Sequence, residues 1–269
     1  MPDTPIMKGK RAIVTGGGTG LGAATALGLA KQGASICINY ATSAEAAEKV
    51  AAECRTHGVD AFAVRADVGE DDQCKALVKA AITRMGAIDI LINNAGVTKF
   101  APHADMDALT PDDFMRLYRV NVLSMYQMIR AARPHLEAGA KPGQGGGSVV
   151  NVSSIAGVTG MGSSVAYAAT KGAINTMTLS LARALAPKIR VNGVCPGYIA
   201  SGWYTRHTGA DAEAARAEEV RRSTPLKTVS GPEDVAEIIL FFAGPASRHV
   251  TGEFMLVDGG AHLGMAPRG

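Results

Sequence analysis

The sequence predicts an α/β fold: a single-domain, doubly wound parallel sheet with helices on both faces. Three observations lead there. Short β-branched runs alternate strictly with longer amphipathic stretches along the whole chain. The runs are apolar at consecutive positions, as in Ile88-Asp-Ile-Leu-Ile92 and Val149-Val-Asn-Val152, which is how strands covered on both faces read. The first run ends in a glycine-rich turn that opens straight into a helix.

Arg11 to Thr15 reads as the first strand and Gly20 to Gln32 as the first helix. Ala34 to Tyr40 and Ser43 to His57 form the next pair, followed by Ala61 to Ala66 and Asp71 to Met85. Ile88 to Asn93 is the fourth strand. One long helix is expected over Thr110 to Ala138, with Thr110 as N-cap and Pro111 in the first helical position, where its missing N–H costs nothing. The Met and Tyr positions between Met115 and Met128 read as its buried stripe. Ser148 to Ser153 is the fifth strand, Ser163 to Ala186 a helix, and Ile189 to Cys195 the sixth strand. Pro232 to Ala243 is a further helix, and Glu253 to Val257 a last short strand. The alternation implies parallel pairing through right-handed crossovers. No repeat is visible, and the domain is expected to span residues 1–269.

Two segments depart from the pattern. Gly139 to Gly147 is rich in Gly and Pro and reads as a surface connection. Tyr198 to Thr224 is longer than the ~12–15 residues of an ordinary connection. With a short helix expected over Ala210 to Arg222, residues 198–224 read as a substrate lid, and Trp203, Tyr204, Arg206 and His207 are its pocket candidates.

Composition excludes several functions. With 47% hydrophobic and 19% charged residues among 269, the chain buries a sizeable core and is not a disordered protein. The net charge of +3 is spread along the sequence, so no basic cluster marks a nucleic-acid surface. No run of ~18 apolar residues exists to span a membrane. Met1 to Gly9 is polar, without an apolar signal region. Cys37, Cys54, Cys74 and Cys195 form no Cys-x-x-Cys pair; Cys37 and Cys195 lie in apolar runs and read as buried thiols. That usage fits a reducing, cytoplasmic compartment. His57, His103 and His207 have no partner at metal-ligand spacing, so no metal is expected. No Gly-x-Ser-x-Gly elbow is present, which disfavours a serine hydrolase.

The stretch Thr15-Gly-Gly-Gly-Thr-Gly-Leu-Gly22 follows the first strand and opens the first helix. Glycines there let the backbone turn tightly and approach a pyrophosphate, and the helix N-terminus offers free N–H groups to its charge. A Rossmann-like, dinucleotide-binding arrangement follows. No Gly-Lys-Ser/Thr ending is present, so a nucleotide triphosphatase loop is not indicated.

The spacing Gly16-x-x-x-Gly20-x-Gly22 resembles the short-chain dehydrogenase/reductase family, whose motif is Thr-Gly-x-x-x-Gly-x-Gly. Further matches follow in family order: Asp67-Val68 after the third strand, Asn93-Asn-Ala-Gly96 at the end of the fourth, Asn121 in the long helix, Ser154, Tyr167 and Lys171, then Pro196-Gly197. The resemblance runs from about Lys10 to Gly260 and extends to the 3-oxoacyl-carrier-protein reductase branch. It implies a catalytic set of Asn121, Ser154, Tyr167 and Lys171. It implies cofactor contacts from Gly16, Gly18, Thr19, Gly20, Leu21, Tyr40, Asp67, Val68, Asn94, Ala95, Gly96, Tyr167, Lys171, Pro196, Gly197, Ile199 and Ser201. Within that set Asp67-Val68 would meet the adenine, and Ser201 replaces the usual threonine at the nicotinamide amide. Asn121 would hold a water joining Lys171 to solvent, and Lys171 would also bond the nicotinamide ribose. Family members are commonly homotetramers.

The residues support the same chemistry independently. Tyr167 and Lys171 are four apart and share a helix face. An ammonium beside a phenol is expected to lower its pKa from ~10, as would a positively charged oxidised nicotinamide, allowing proton exchange with a substrate oxygen. Ala166, Ala168, Ala169, Gly172 and Ala173 are small and permit close approach of another helix or a ligand. Ser154 lies just past the fifth strand, at the edge where open sheets bind ligands, and its hydroxyl suits a developing oxyanion; Ser153 is the alternative, and the family spacing selects Ser154.

An acidic residue at the end of the second strand would favour NAD(H). Here Tyr40 stands in that position, with Thr42 and Ser43 hydroxyls beyond it, which favours NADP(H). Against this, Thr19 replaces the basic residue common in the glycine loop of NADP-using relatives, and Ala41 supplies no arginine, so NAD(H) remains possible. The expected activity is interconversion of a secondary alcohol and a ketone by hydride transfer, on a small-molecule substrate, by a homo-oligomer. The alternatives are a non-catalytic dinucleotide-binding sensor or scaffold, and epimerisation or dehydration of nucleotide sugars. The latter branch has Gly-x-x-Gly-x-x-Gly and a longer chain.

Overall fold

A computed structural model of the chain describes residues 6–139, 146–205 and 209–264. Seven parallel strands form one sheet in the order β3-β2-β1-β4-β5-β6-β7. The strands are β1 (Arg11–Val14), β2 (Ser35–Tyr40), β3 (Ala61–Arg65), β4 (Ile90–Asn93), β5 (Gly147–Val152), β6 (Ile189–Pro196) and β7 (Phe254–Val257). Successive strand residues enter different cores. Ala12, Val14, Ile36, Ile38, Ile90 and Ile92 pack on one face, while Ile13, Cys37 and Leu91 pack on the other. That two-sided burial explains the unbroken apolar runs.

Helices α1 (Gly20–Lys31), α2 (Ala44–Arg55) and α9 (Pro232–Ala243) cover the first face; α3 (Asp71–Met85), α5 (Ser124–Ala138) and α7 (Val165–Leu185) cover the second. Two of the short elements not foreseen lie near the site. These are α6 (Ala156–Thr159) and the break between α4 (Pro111–Tyr118) and α5, where Arg119–Leu123 forms a π turn. The single helix expected over Thr110 to Ala138 is therefore two helices joined by that turn. Thr110 does cap α4, accepting from Asp113 N, with Pro111 behind it. The buried stripe read into Met115 to Met128 holds only in part. Met125 and Met128 are buried, but Met115 is 69% exposed, Tyr118 50% and Tyr126 45%. A π turn inserts a residue into the 3.6-residue repeat, so one apolar stripe cannot run through it.

The segment after β6 carries helix α8 (Ala210–Ser223) as expected; Arg206 and His207 lie outside the described residues. All four cysteines are buried and unpaired.

Candidate active site

The strand order reverses between β1 and β4, and open parallel sheets bind ligands in such a crevice. Polar contacts pin its two walls. The Thr15 hydroxyl accepts from Asn94 N at 2.9 Å and Ala95 N at 3.1 Å, and Asn94 Nδ2 donates to Thr15 O and Gly16 O. Asn39 anchors the other side of the glycine loop: Gly16 N donates to its Oδ1, Gly17 N to its carbonyl, and its Nδ2 reaches Ala66 O at 2.9 Å. The sequence reading assigned no role to Thr15 or Asn39. A buried polar residue at a strand end was the available signal.

The loop fits a pyrophosphate. Gly16 and Gly20 have φ of +61° and +53°, conformations that L side chains rarely adopt. A Cβ on Gly22 would sit 2.3 Å from Gly16 O. Thr19, the N-cap of α1, makes no side-chain cap and the first turn holds no acidic residue, so the helix amides there would receive an anion unopposed. Contacts then lead from loop to chemistry. Gly20 lies beside Ser201, Gly16 beside Ala95, and a Cβ on Gly96 would be 3.4 Å from Asn121 Oδ1 and 4.0 Å from Lys171 Nζ. Tyr40 and Asp67 stand near the ends of β2 and β3, Asp67 exposed with Val68 buried beneath it. Gly197 packs against Asp258, and Ile199 bridges to Ser230. Leu21 is buried in α1 against the core.

The four expected catalytic side chains converge. Asn121 sits in the π turn, fully buried, its amide clamped to Val97 N (2.8 Å), Val97 O (3.0 Å) and Thr170 Oγ1 (3.1 Å). Lys171 Nζ donates to Val152 O at 3.0 Å and lies 5.4 Å from the Tyr167 ring centroid. Burial brings this ammonium down to about 8. Ser154 Oγ accepts from Ala156 N, while Ser153 Oγ is turned to Lys171 O. The Tyr167 phenol is pushed up to about 12 by burial; the Ser154 hydroxyl acts the other way. Sequence reasoning expected the phenol to be lowered by Lys171. In this geometry burial sets the direction, upward, so the phenol is held in its neutral, proton-bearing form. The small residues of α7 do admit a neighbour: a Cβ on Gly157 would fall 2.5 Å from Lys171 C, so α6 lies on the α7 backbone.

A cleft of about 450 Å³ opens beside Tyr167, lined by Phe100, Ala101, Pro102, Gly162, Ser163, Tyr204 and Arg216. Gly162 lies against the Tyr167 ring. Trp203 stands 6.5 Å from Tyr167 and 5.9 Å from Phe100, with Tyr204 5.4 Å from both Phe100 and Trp203, centroid to centroid. Glu213 of α8 ties this segment down, its carboxylate accepting from Gly202 N and Thr205 N. Of the expected pocket residues, Tyr204 lines the cleft and Trp203 stands beside it. Phe100 to Pro102 and Arg216 were not foreseen, because nothing local in those stretches marks a pocket.

This is the site of a nicotinamide-dependent oxidoreductase that interconverts carbonyl and alcohol groups. The chain belongs to the short-chain dehydrogenase/reductase family: a family model described as enoyl-(acyl carrier protein) reductase matches residues 16–262. It is 42% identical over 262 residues to ketoacyl reductase 2 of the granaticin polyketide synthase of Streptomyces violaceoruber, covering 97% of this chain and 98% of that protein. Among solved structures it resembles a short-chain dehydrogenase/reductase of Burkholderia xenovorans (TM-score 0.88, 41% identity, 98% of this chain and 100% of that one). A short-chain dehydrogenase of Burkholderia cenocepacia in complex with NADP matches at TM-score 0.84 and 34% identity, covering 96% of this chain and 99% of that one. A 7α-hydroxysteroid dehydrogenase complexed with NADH matches at 0.85 and 32%, covering 99% and 98%. These relatives lend no support to a non-catalytic sensor.

Proposed function

We propose that the chain is an NADPH-dependent reductase of a bulky, ring-bearing ketone, with Tyr167 delivering the proton. One observation carries this reading: the neutral Tyr167 phenol lies between Ser154 and Lys171, beside a cleft walled by Phe100 and Tyr204 and next to Trp203. The cofactor supplies the hydride when bound. The chain's own residues do the rest. Ser154 orients the carbonyl oxygen, Tyr167 donates its proton to that oxygen, and the Lys171 ammonium offsets the phenolate left behind. Asn121, immobilised by Val97 and Thr170, holds a water that returns the proton through Lys171.

Gly16, Gly18, Thr19, Gly20 and Leu21 would hold the pyrophosphate, Asp67 and Val68 the adenine, Asn94 to Gly96 the crevice between β1 and β4, and Pro196, Gly197, Ile199 and Ser201 the nicotinamide. Relatives solved with NADP and with NADH leave the preference open; Tyr40 in place of an acid, with Thr42 and Ser43 beside it, supports NADP(H). Residues 198–224 act as the lid, latched by Glu213. Four buried, unpaired cysteines support a working place in the cytoplasm.

The test is a panel of polycyclic aromatic, steroid, 3-oxoacyl and simple ketones, plus a 2-enoyl thioester, with NADPH and NADH. The expected outcome is fastest NADPH oxidation with a multi-ring ketone. Tyr167→Phe should lower kcat by at least ~10²–10⁴-fold while cofactor binding survives. Undiminished turnover in that variant sinks the assignment of Tyr167, and a clear NADH preference sinks the cofactor reading.

A further inference from the structure

The NADP(H) reading has one gap: neither Thr19 nor Ala41 supplies a positive charge to the cofactor's 2′-phosphate. We propose that Arg65, arriving from β3, supplies it. This inference rests on the NADP(H) reading and assigns the residue that enforces it.

Two contacts place Arg65, and a third ties the turn it meets to the glycine loop. It is the register partner of Tyr40 across the β2–β3 pair, so both stand at the sheet edge that carries the glycine loop. Its Nε donates to Ala41 O at 3.3 Å, which holds the guanidinium against the Tyr40-Ala-Thr-Ser43 turn. At the far end of that turn, the Ser43 hydroxyl lies 3.2 Å from where a Cβ of Gly18 would be. Glycine loop, Ser43, Ala41 and Arg65 therefore form one continuous rim.

The guanidinium is available to a ligand. Arg65 is exposed, and among the described residues it has no carboxylate partner, in contrast with Arg84, Arg119 and Arg130, which are all paired. The nearest acid along the chain, Asp67, turns its Oδ1 back to Gly69 N. With Nε spent on Ala41 O, the terminal nitrogens of the fork remain to bond phosphate oxygens. A guanidinium suits this task because its planar donors match phosphate in pairs. The ribose hydroxyl of NAD(H) offers no charge for it to meet.

Calorimetry on the full chain tests the assignment, using NADP⁺, NAD⁺, 2′,5′-ADP and 5′-AMP as titrants. Wild type should bind the 2′-phosphorylated member of each pair more tightly. Arg65→Ala should weaken NADP⁺ and 2′,5′-ADP by ~10–100-fold and shift NAD⁺ and 5′-AMP by less than about twofold, with Arg65→Lys between. Lys79→Ala, which removes one exposed charge from α3, should change none of them. If wild type prefers the phosphorylated ligands and Arg65→Ala weakens both members of each pair equally, or neither, the role of Arg65 is overturned while the NADP(H) reading stands. If wild type binds NAD⁺ more tightly than NADP⁺, both fall. An unchanged melting temperature for Arg65→Ala keeps a folding defect from imitating the expected result.

Discussion

Tyr167 and Lys171 show how one environment moves two groups in opposite directions. Burial disfavours charge on either, so the phenol rises to about 12 and the ammonium falls to about 8. A high phenol pKa suits an acid that gives its proton to a carbonyl oxygen. A lysine near 8 sets the alkaline limit of that step, because the phenolate left behind needs a positive neighbour. The sign follows: below about pH 8 the ammonium is present, and above it the charge is lost. The kcat/KM for ketone reduction is expected to be level at neutral pH and to decline as pH rises through about 8. In Lys171→Met the profile should lose that step and run at a lower, flatter level. A wild-type profile that stays level to well above pH 9 removes Lys171 from the proton step.

At the scale of elements, the close approach of α6 to α7 holds Ser154 and Lys171 in one site. Gly157 makes it possible, since a Cβ there would meet the Lys171 carbonyl group at 2.5–2.6 Å and the Gly172 amide at 2.8 Å, all backbone atoms that cannot rotate away. Gly157→Ala is therefore expected to cost about 1–3 kcal/mol in denaturant unfolding and to lower kcat more than it raises cofactor Kd. Stability and kcat equal to wild type would mean that α6 is free to shift. This contact also marks where the sequence stopped being readable. The strands, α1 to α3, α7 and the glycine loop follow from apolar period, caps and glycine spacing, each a property of neighbouring residues. The Ser-Tyr-Lys set followed from spacing within one family pattern. The π turn at Arg119–Leu123 left no trace in composition, because its cause is tertiary: Asn121 is held by Val97 on another segment. The cleft wall from Phe100 to Pro102 and the approach of Arg65 to Ala41 were illegible for the same reason. Each joins residues that only the sheet brings together.

Among the described residues, large apolar side chains on adjoining elements of the whole molecule are left uncovered. Phe114, Met115 and Tyr118 of α4, Leu123 of the π turn, Tyr126 of α5 and Val165 and Leu179 of α7 are each more than 40% exposed. Behind them, Val122, Met125 and Ile174 pack α5, the π turn and α7 together. So many large apolar side chains on adjoining elements mark an interaction surface rather than scattered exposure. A second copy of this chain is the expected occupant, consistent with the homotetramer that the family resemblance implies, and this pairing would also explain why the Met115 to Met128 stripe is apolar yet exposed. The surface bears directly on catalysis: α7 presents Val165 and Leu179 outward and Lys171 inward, so a partner on the outer side would stiffen the helix that carries Tyr167 and Lys171. Light scattering should therefore give wild type at twice the monomer mass or more. Tyr126→Arg combined with Leu179→Arg should shift it toward the monomer, because a charge buried without a partner opposes association. If the outer face supports the site, that variant loses kcat in step with its loss of assembly, measured across a dilution series, and an equal kcat in monomer and oligomer would separate assembly from catalysis. A wild-type protein at monomer mass would leave this surface without the partner argued here.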